Sequence, residues 1–364
     1  MRIPVPFIAL VLLLALAQTT PAFPPVFVLS ATGGTTLQED ASSGLTATPM
    51  LDSRASFSYR SAIPSGGYAA VGLDGSLRYY FGEVDDYQDQ EVLSFELARP
   101  LQRGRLMVSA GTTSSVQPLS ASGSFVQPDW SLGYRFPEFG AGIQPEVTYT
   151  GLYRYEDDGI EDVTRHELSL GFVAEPSVRI GYSAHVNGAW ELYPEQTILN
   201  ADGSESGALR NDLIASVTGG AEGLIGFFTS WEVDTELGFR GSNANRYLSG
   251  SGSAESELEA NSESRLFGRV NGSLELSPVQ QLGIGGSLTV GDTYYLDRAA
   301  LRDDGTPRSK NLNRFDIGGS LYADWTSNNA LYFLIEASVS RQISTQPSLD
   351  GWSAEVSGGV EYSF

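Results

Sequence analysis

The sequence predicts an all-β protein: a membrane-spanning, antiparallel, up-and-down β-barrel of about 16 strands. Three observations support this fold class. After residue 25, apolar and polar residues alternate in one segment after another. Many of these segments are longer than the roughly 10 residues that a tilted membrane-spanning strand needs. The connections alternate between short and long, and the last predicted strand finishes on the aromatic residue Phe364.

The alternation is clearest in residues 314–325, where Phe315 and Trp325 share one face and Asp316 and Asp324 share the other. Because successive side chains of a strand point to opposite faces, such a segment has an apolar side and a charged side. In a membrane-spanning barrel, the apolar side faces lipid and the charged side faces the lumen. The same pattern recurs in residues 178–193, 231–240 and 265–276.

The connections predict two different rims. Short turns are expected at residues 64–67, 100–103, 137–140, 175–177, 226–229, 278–280 and 327–329. Long polar stretches are expected near residues 37–53, 83–90, 115–128, 156–162, 194–210, 243–263, 297–312 and 344–350. With residues 26–35 as the first strand, the count is about 16 and both termini lie on the short-turn rim. The alternative is about 14 strands, with the N-terminal stretch serving as a plug or tail.

Residues 1–17 have the features of a cleaved secretory signal peptide. Arg2 supplies the positive end, residues 7–17 supply an apolar core, and Ala15-Leu-Ala17 is a small-x-small cleavage site. The apolar run is shorter than the roughly 20 residues that a spanning helix needs. Residues 18–364 are therefore predicted to be the mature chain, a single barrel domain.

Composition and charge exclude several functions. The chain has no Cys, which excludes disulfides and thiolate metal sites. Its formal net charge of −22 repels nucleic acid phosphates, so no nucleic acid partner is expected. The 41 Gly together with 17 Tyr and 17 Phe suit curved strands with aromatic outer faces. We expect no cofactor.

The last strand places Val360, Tyr362 and Phe364 on one face. This pattern resembles the C-terminal signal that barrel-assembly machinery recognises. The architecture resembles that of bacterial outer-membrane porins over the whole mature chain. The resemblance implies a bacterial outer membrane location with periplasmic termini, outer-membrane lipid as the surroundings and small polar solutes as cargo. It leaves the oligomeric state open between monomer and trimer.

If the charged faces point inward, the lumen carries both signs of charge, and such opposed charges orient polar solutes and select among ions. The excess of carboxylates over arginines favours a mild cation preference. The predicted pore-lining residues are Arg78, Glu146, Arg154, Arg179, His185, Glu232, Asp234, Glu236, Arg240, Arg265, Arg269, Asp316, Asp324 and Glu336.

Catalytic and metal sites are not expected. The chain has 2 His, and Ser183, His185 and Asn187 fall on one face of one strand. Neighbours on that face are about 7 Å apart, outside hydrogen-bond reach. His166 shows no partner in the sequence pattern. The acidic residues within 157–159, 202–203 and 303–305 lack the regular ligand spacing of a calcium loop and are interpreted as turn residues.

The sequence therefore predicts a porin-like outer-membrane channel for the passive diffusion of small polar solutes or ions, without enzymatic activity. The alternative is a closed structural or surface-binding barrel that does not conduct. A binder is expected to carry aromatic anchors in its loops. The predicted loops are instead mostly Ser, Gly, Asp, Glu and Asn, which favours the channel.

Overall fold

The structure is a computed structural model that describes residues 25–40, 44–63, 66–81, 86–116, 124–140, 142–156, 162–199, 204–243, 247–248, 264–279, 281–302, 306–327 and 331–363. The predicted signal peptide, residues 1–17, lies outside these ranges. The described part of the chain is built from β-strands and one 3-10 turn (Pro347–Leu349). None of the helices in these ranges is long and apolar enough to cross a membrane.

Sixteen long strands form one closed antiparallel sheet. The strands are β1 (Val26–Asp40), β2 (Gly44–Ala62), β3 (Tyr68–Tyr80), β4 (Asp86–Leu101), β5 (Gly104–Val116), β6 (Phe125–Arg135), β7 (Ile143–Glu156), β8 (Val163–Ser177), β9 (Ile180–Leu199), β10 (Glu205–Ile225), β11 (Thr229–Ser242), the two-residue β12 (Tyr247–Leu248), β13 (Arg265–Val279), β14 (Leu282–Leu301), β15 (Pro307–Thr326), β16 (Leu331–Ser344) and β17 (Gly351–Ser363).

The sheet closes because β1 pairs with both β2 and β17; Ser30, for example, lies opposite Arg54 on one side and Glu361 on the other. The short strand β12 pairs with β9 and stays outside the ring, since β11 pairs directly with β13. The predictions of an all-β, up-and-down barrel and of 16 strands are confirmed, and the alternative of 14 strands is wrong.

Most large apolar side chains of the strands lie on the outer face. In β15, Phe315, Ile317, Leu321 and Trp325 are 37%, 39%, 72% and 52% exposed. Such exposure around a whole ring is unfavourable in water and marks a surface that another apolar phase covers. The inner face carries the polar partners of the alternation, because the side-chain period of a strand is two.

Several strands extend much further than the sequence pattern predicts. β9 and β10 contain 20 and 21 residues, and β14 and β15 contain 20 each. The expected long loops at residues 194–210 and 297–312 are therefore largely strand. Residues 37–53 are also mostly strand, since β1 ends at Asp40 and β2 begins at Gly44. The predicted first strand, residues 26–35, was too short for the same reason: the ladder is held by backbone groups and continues where both faces are polar.

The short-turn rim differs from the prediction in one place that concerns the lumen. The turn between β8 and β9 is formed by Val178 and Arg179 and does not lie at residues 175–177. Arg179 is thus a turn residue and not a strand residue with a fixed inner or outer face.

Candidate functional site

The inner face of the barrel is the candidate site. Apart from the turn residue Arg179, the predicted pore-lining residues lie on the strand faces opposite the exposed apolar side chains. For example, Val233 and Leu237, 38% and 69% exposed, flank the inner positions Asp234 and Glu236 in β11. The residues that share this inner position are Arg78, Glu146, Arg154, His185, Glu232, Asp234, Glu236, Arg240, Arg265, Arg269, Asp316, Asp324 and Glu336.

A basic zone lies on the β11–β15 wall, in the half of the barrel away from the short turns. We define it as Arg240, Arg265, Arg269 and Arg314, which line a cavity of 540 Å³ together with the carboxylates of Glu167, Glu236 and Asp316. Arg240 and Arg265 are cross-strand partners in β11 and β13. Arg314 NH2 donates to Gln342 Oε1 at 2.6 Å. The zone therefore places guanidinium groups from three strands around one space.

Arg240 is held by a buried ionic network in the part of β8–β11 that lies away from the short turns. Asp212, which is fully buried, accepts from NH2 of Arg240 at 2.5 Å and from NH2 of Arg210 at 2.7 Å. Glu191 accepts from Arg240 at 2.6 Å and from Arg165 at 3.0 Å. Since buried carboxylates and guanidiniums are stable only when paired, this network fixes the positions of its members.

An acidic zone lies on the β10–β17 wall, nearer the short turns. In the described ranges, no Lys or Arg nitrogen lies within 4.0 Å of the carboxylates that form this zone, which are named at the end of this paragraph. Glu222 and Glu232 are cross-strand partners, an arrangement of like charges that costs stability. Glu222, Glu232 and Glu275 line a cavity of 460 Å³. We define the zone as Glu222, Glu232, Asp234, Glu275, Asp324, Glu336 and Glu361.

The β2–β7 wall carries charges that neutralise one another. Most inner-face carboxylates there lie within 3.0 Å of an arginine nitrogen on the same or the neighbouring strand, whereas Glu96 accepts from the hydroxyl of Tyr68, whose ring lies under Arg60 and Arg105. The ion pairs are Arg54–Asp74 at 2.7 Å, Arg78–Asp52 at 2.9 Å, Arg135–Glu146 at 2.9 Å and Arg154–Glu156 at 2.6 Å. This wall therefore adds little net charge to the lumen, although it contributes several polar groups.

His185 reaches across a neighbouring strand to a carboxylate. Its Nε2 lies 2.8 Å from Oε1 of Glu146, whose Oε2 accepts from Nε of Arg135 at 2.9 Å. The imidazole crosses β8 at Gly171, where a Cβ would lie 2.1 Å from Cδ2 of His185. Glycine at this position is what allows the ring to pass.

A third part of the wall is lined by hydroxyl groups. A cavity of 470 Å³ on β14–β17 is lined largely by serine, threonine and glycine. The Oγ atoms of Ser287 and Ser320 are 2.9 Å apart, and those of Ser340 and Ser353 are 2.7 Å apart. These small, uncharged side chains leave the lumen wide at this level.

The structure also brings in charged residues that the predicted set missed. Asp52 falls within residues 37–53 and Arg210 within residues 194–210, both expected to be loops. Because Asp52 and Arg54 are two apart, as are Arg210 and Asp212, the alternation itself would have placed each pair on one face. The error lay in the strand ends and not in the faces.

The outer face carries the tryptophans and part of the predicted assembly signal. Trp130, Trp190, Trp231, Trp325 and Trp352 occupy outer positions by register. Val360 and Tyr362 are also outer residues, 42% and 47% exposed, whereas Phe364 lies outside the described ranges. His166, which showed no partner in the sequence, stacks between Tyr149 and Trp190, and its Nδ1 lies 2.8 Å from the Tyr149 hydroxyl.

Comparison with known proteins places this barrel among outer-membrane porins by fold. No protein-family model matches the chain, and no curated protein matches its sequence. OccAB1 of Acinetobacter baumannii superposes with a TM-score of 0.53 at 13% identity, covering 95% of this chain and 98% of OccAB1. OccD3 (OpdP) of Pseudomonas aeruginosa gives 0.49 at 12% identity, covering 95% and 92%. The chain therefore has the closed 16-strand architecture of a porin-like outer-membrane barrel.

Proposed function

We propose that the protein is a passive outer-membrane channel for small polar solutes or ions. The observation that carries this proposal is the exposure of charged side chains on the inner face. Glu222, Glu232, Asp234, Glu275 and Arg269 all point into the barrel, yet all are exposed. In a barrel filled by its own side chains these groups would be buried and paired, since unpaired buried charges are costly.

The size of the ring supports an open lumen. Barrels of 16–18 strands enclose more space than side chains fill and leave an aqueous channel. Here the wall between β14 and β17 is lined by serine, threonine and glycine, which fill even less of that space. The inner face thus offers water and hydrogen-bonding groups along the barrel, which suits small polar solutes.

The proposed location is a bacterial outer membrane, with the short-turn rim and both termini on the periplasmic side. The exposed apolar outer face needs lipid around it, and barrels of this membrane typically keep their short turns in the periplasm. We further propose that barrel-assembly machinery recognises the last strand through Val360, Tyr362 and Phe364. The choice between monomer and trimer stays open in this proposal.

The proposed function includes no covalent chemistry. Ser183, His185 and Asn187 share the inner face of β9 and are the residue types of a Ser-His-Asn hydrolase triad. The Nε2 atom of His185, however, is hydrogen-bonded to Glu146. Ser183 lies two residues away on the same strand face, about 7 Å along β9, which is too far for proton transfer to the ring. Replacing His185 by Ala is expected to leave lipid hydrolysis at the background level.

The proposal is tested by recording single-channel currents from the refolded mature chain, residues 18–364, in a planar lipid bilayer. Stable current steps are expected. Folding is checked independently by heat modifiability on gel electrophoresis. A correctly folded protein that produces no steps would refute the channel and favour a closed barrel.

A matched pair of variants ties the current to the lumen. Ser338 in β16 points inward and lines the hydroxyl wall, whereas its neighbour Ala337 points outward and is exposed. Ser338→Trp is expected to lower the conductance because it adds a large side chain to the lumen. Ala337→Trp, which places the same bulk on the outer face, is expected to leave it unchanged. Equal effects of the two variants would contradict conduction through the barrel interior.

A further inference from the structure

The acidic zone and the basic zone lie on the same arc of wall but at different heights. In β13, Glu275 belongs to the acidic zone, and Arg269 and Arg265 belong to the basic zone further from the short turn. Glu275 and Arg269 are separated by about 20 Å along the strand, at 3.3 Å per residue. Because such strands tilt by 35–45°, the separation along the barrel axis is about 15 Å.

The same order of charges recurs in the neighbouring strands. In β11, Glu232 and Asp234 lie near the short turn and Arg240 lies near the far end. In β15, Asp324 lies near the short turn and Arg314 lies beyond it towards the far end. Three strands of one wall therefore carry carboxylates without arginines near the short turn, and arginines mixed with Glu236 and Asp316 in the far half.

Charges elsewhere in the lumen do not cancel this separation. On the β2–β7 wall, Arg78 and Asp52 are cross-strand partners, as are Arg135 and Glu146, so opposite charges lie at the same height. In the far half of the other wall, Asp212 and Glu191 are paired with Arg240, and Glu236 and Asp316 line the same cavity as the basic zone, so these carboxylates offset most of its positive charge. The described lumen is thus strongly negative towards the short-turn rim, while its other half is near neutral or weakly positive.

We propose that this axial separation of charge makes the channel rectify, so that it conducts better under one sign of voltage than under the other. This inference rests on the proposed channel function. Mobile cations concentrate in the acidic half, and anions enter more easily from the other half. A positive potential on the short-turn side drives both kinds of ion towards the middle of the lumen and raises their concentration there. The opposite potential draws both out and lowers the current.

Salt concentration sets the size of this effect. The field of the acidic zone extends about 10 Å at 0.1 M salt but only about 3 Å at 1 M salt. We expect the ratio of the currents at equal and opposite voltages to be about 1.5 or more at 0.1 M KCl and near 1 at 1 M KCl, where the charges are screened.

The measurement requires channels of known orientation. The chain has no Cys, so Ser348→Cys, at an exposed position between β16 and β17, introduces a single thiol on the rim away from the short turns. A bulky, membrane-impermeant thiol reagent added to one chamber reports which side that rim faces. Currents from full mature chains are then recorded at both voltage signs in 0.1 M and 1 M KCl.

Two sets of variants test the cause. The triple variant Glu232→Gln, Asp234→Asn, Glu275→Gln is expected to move the current ratio at 0.1 M KCl clearly towards 1, and Glu336→Gln alone to lower it by less. These side chains are exposed or half-buried, so their neutralisation leaves packing intact. The control pair Arg54→Gln, Asp74→Asn removes an ion pair without changing the net charge and is expected to leave the ratio unchanged.

The possible outcomes separate this inference from the proposed function. Open channels with a linear current–voltage relation at 0.1 M KCl would overturn rectification and leave the channel standing. A current ratio that is undiminished in the triple variant would overturn the assignment of rectification to the acidic zone. If the folded protein shows no channel openings, the proposed function falls and the inference falls with it.

Discussion

Asp212→Ala is expected to be one of the most destabilising single substitutions in the barrel wall. Asp212 is fully buried and accepts hydrogen bonds from Arg210 and Arg240, whose side chains are 6% and 13% exposed. Removing the carboxylate leaves two nearly buried guanidinium groups without their shared partner. Breaking a buried ion pair in this way typically costs about 3–5 kcal/mol of unfolding free energy.

A matched exposed pair supplies the control. Arg54 and Asp74 form the same kind of contact at 2.7 Å, but their side chains are 60% and 28% exposed. Because solvent screens such a pair, Asp74→Ala is expected to cost only about 0–1 kcal/mol. Asp212→Asn keeps the volume and one acceptor oxygen, so it separates the loss of charge from the loss of packing.

The assay is urea-induced unfolding in lipid vesicles, followed by the fluorescence of the 5 Trp residues. The shift in midpoint at constant slope gives the change in unfolding free energy. If Asp212→Ala costs no more than Asp74→Ala, the description of the β8–β11 network as a buried, structure-fixing element is wrong.

Two further predictions concern one glycine and the outer tryptophans. Gly171→Ala is expected to cost about 1–3 kcal/mol in the same unfolding assay, since its Cβ would lie 2.1 Å from Cδ2 of His185 and 2.3 Å from the Ala184 carbonyl oxygen. Gly188→Ala, with nothing within 4 Å of the added Cβ, is the control and is expected to change stability by less than about 0.5 kcal/mol. Lipids brominated on their acyl chains are expected to quench the fluorescence of Trp190 and Trp325, 44% and 52% exposed on the outer face, more strongly than aqueous acrylamide does. The reverse order of quenching would contradict the assignment of inner and outer faces.

The strand ends show where the sequence pattern stops being informative. The pattern places β9 and β10 correctly but predicts loop at residues 194–210, which are mostly strand. Alternation is visible only where one face is apolar and the other polar, and the ends of these strands away from the short turns mix polar and apolar residues on both faces. The pairing of these strand ends is decided by backbone hydrogen bonds to the neighbouring strand. Because these bonds do not depend on the side chains, they produce no alternation of residue types in the sequence.

Arg179 and His185 illustrate the same limit at the level of single residues. Arg179 was placed on a strand face, but the turn between β8 and β9 lies two residues later than the Pro and Ser of residues 175–177 suggest. His185 lies in β9 on the face opposite the exposed apolar residues, and its contact with Glu146, two strands away across Gly171, has no signature in the local sequence.

By itself, the sequence determined the fold class and the two faces of its clearly alternating segments, whereas the closed ring decided between about 16 and about 14 strands. The fold class and the faces follow from the two-residue period of a strand, which is a local property of the chain. Only the tertiary structure decided which residues share a height and which are neighbours across strands. The pairing of Arg210, Arg240 and Asp212, and the separation of an acidic zone from a basic zone, depend on register and closure. Register is set by contacts between segments far apart in the chain, and a single sequence read along its length does not contain those distances.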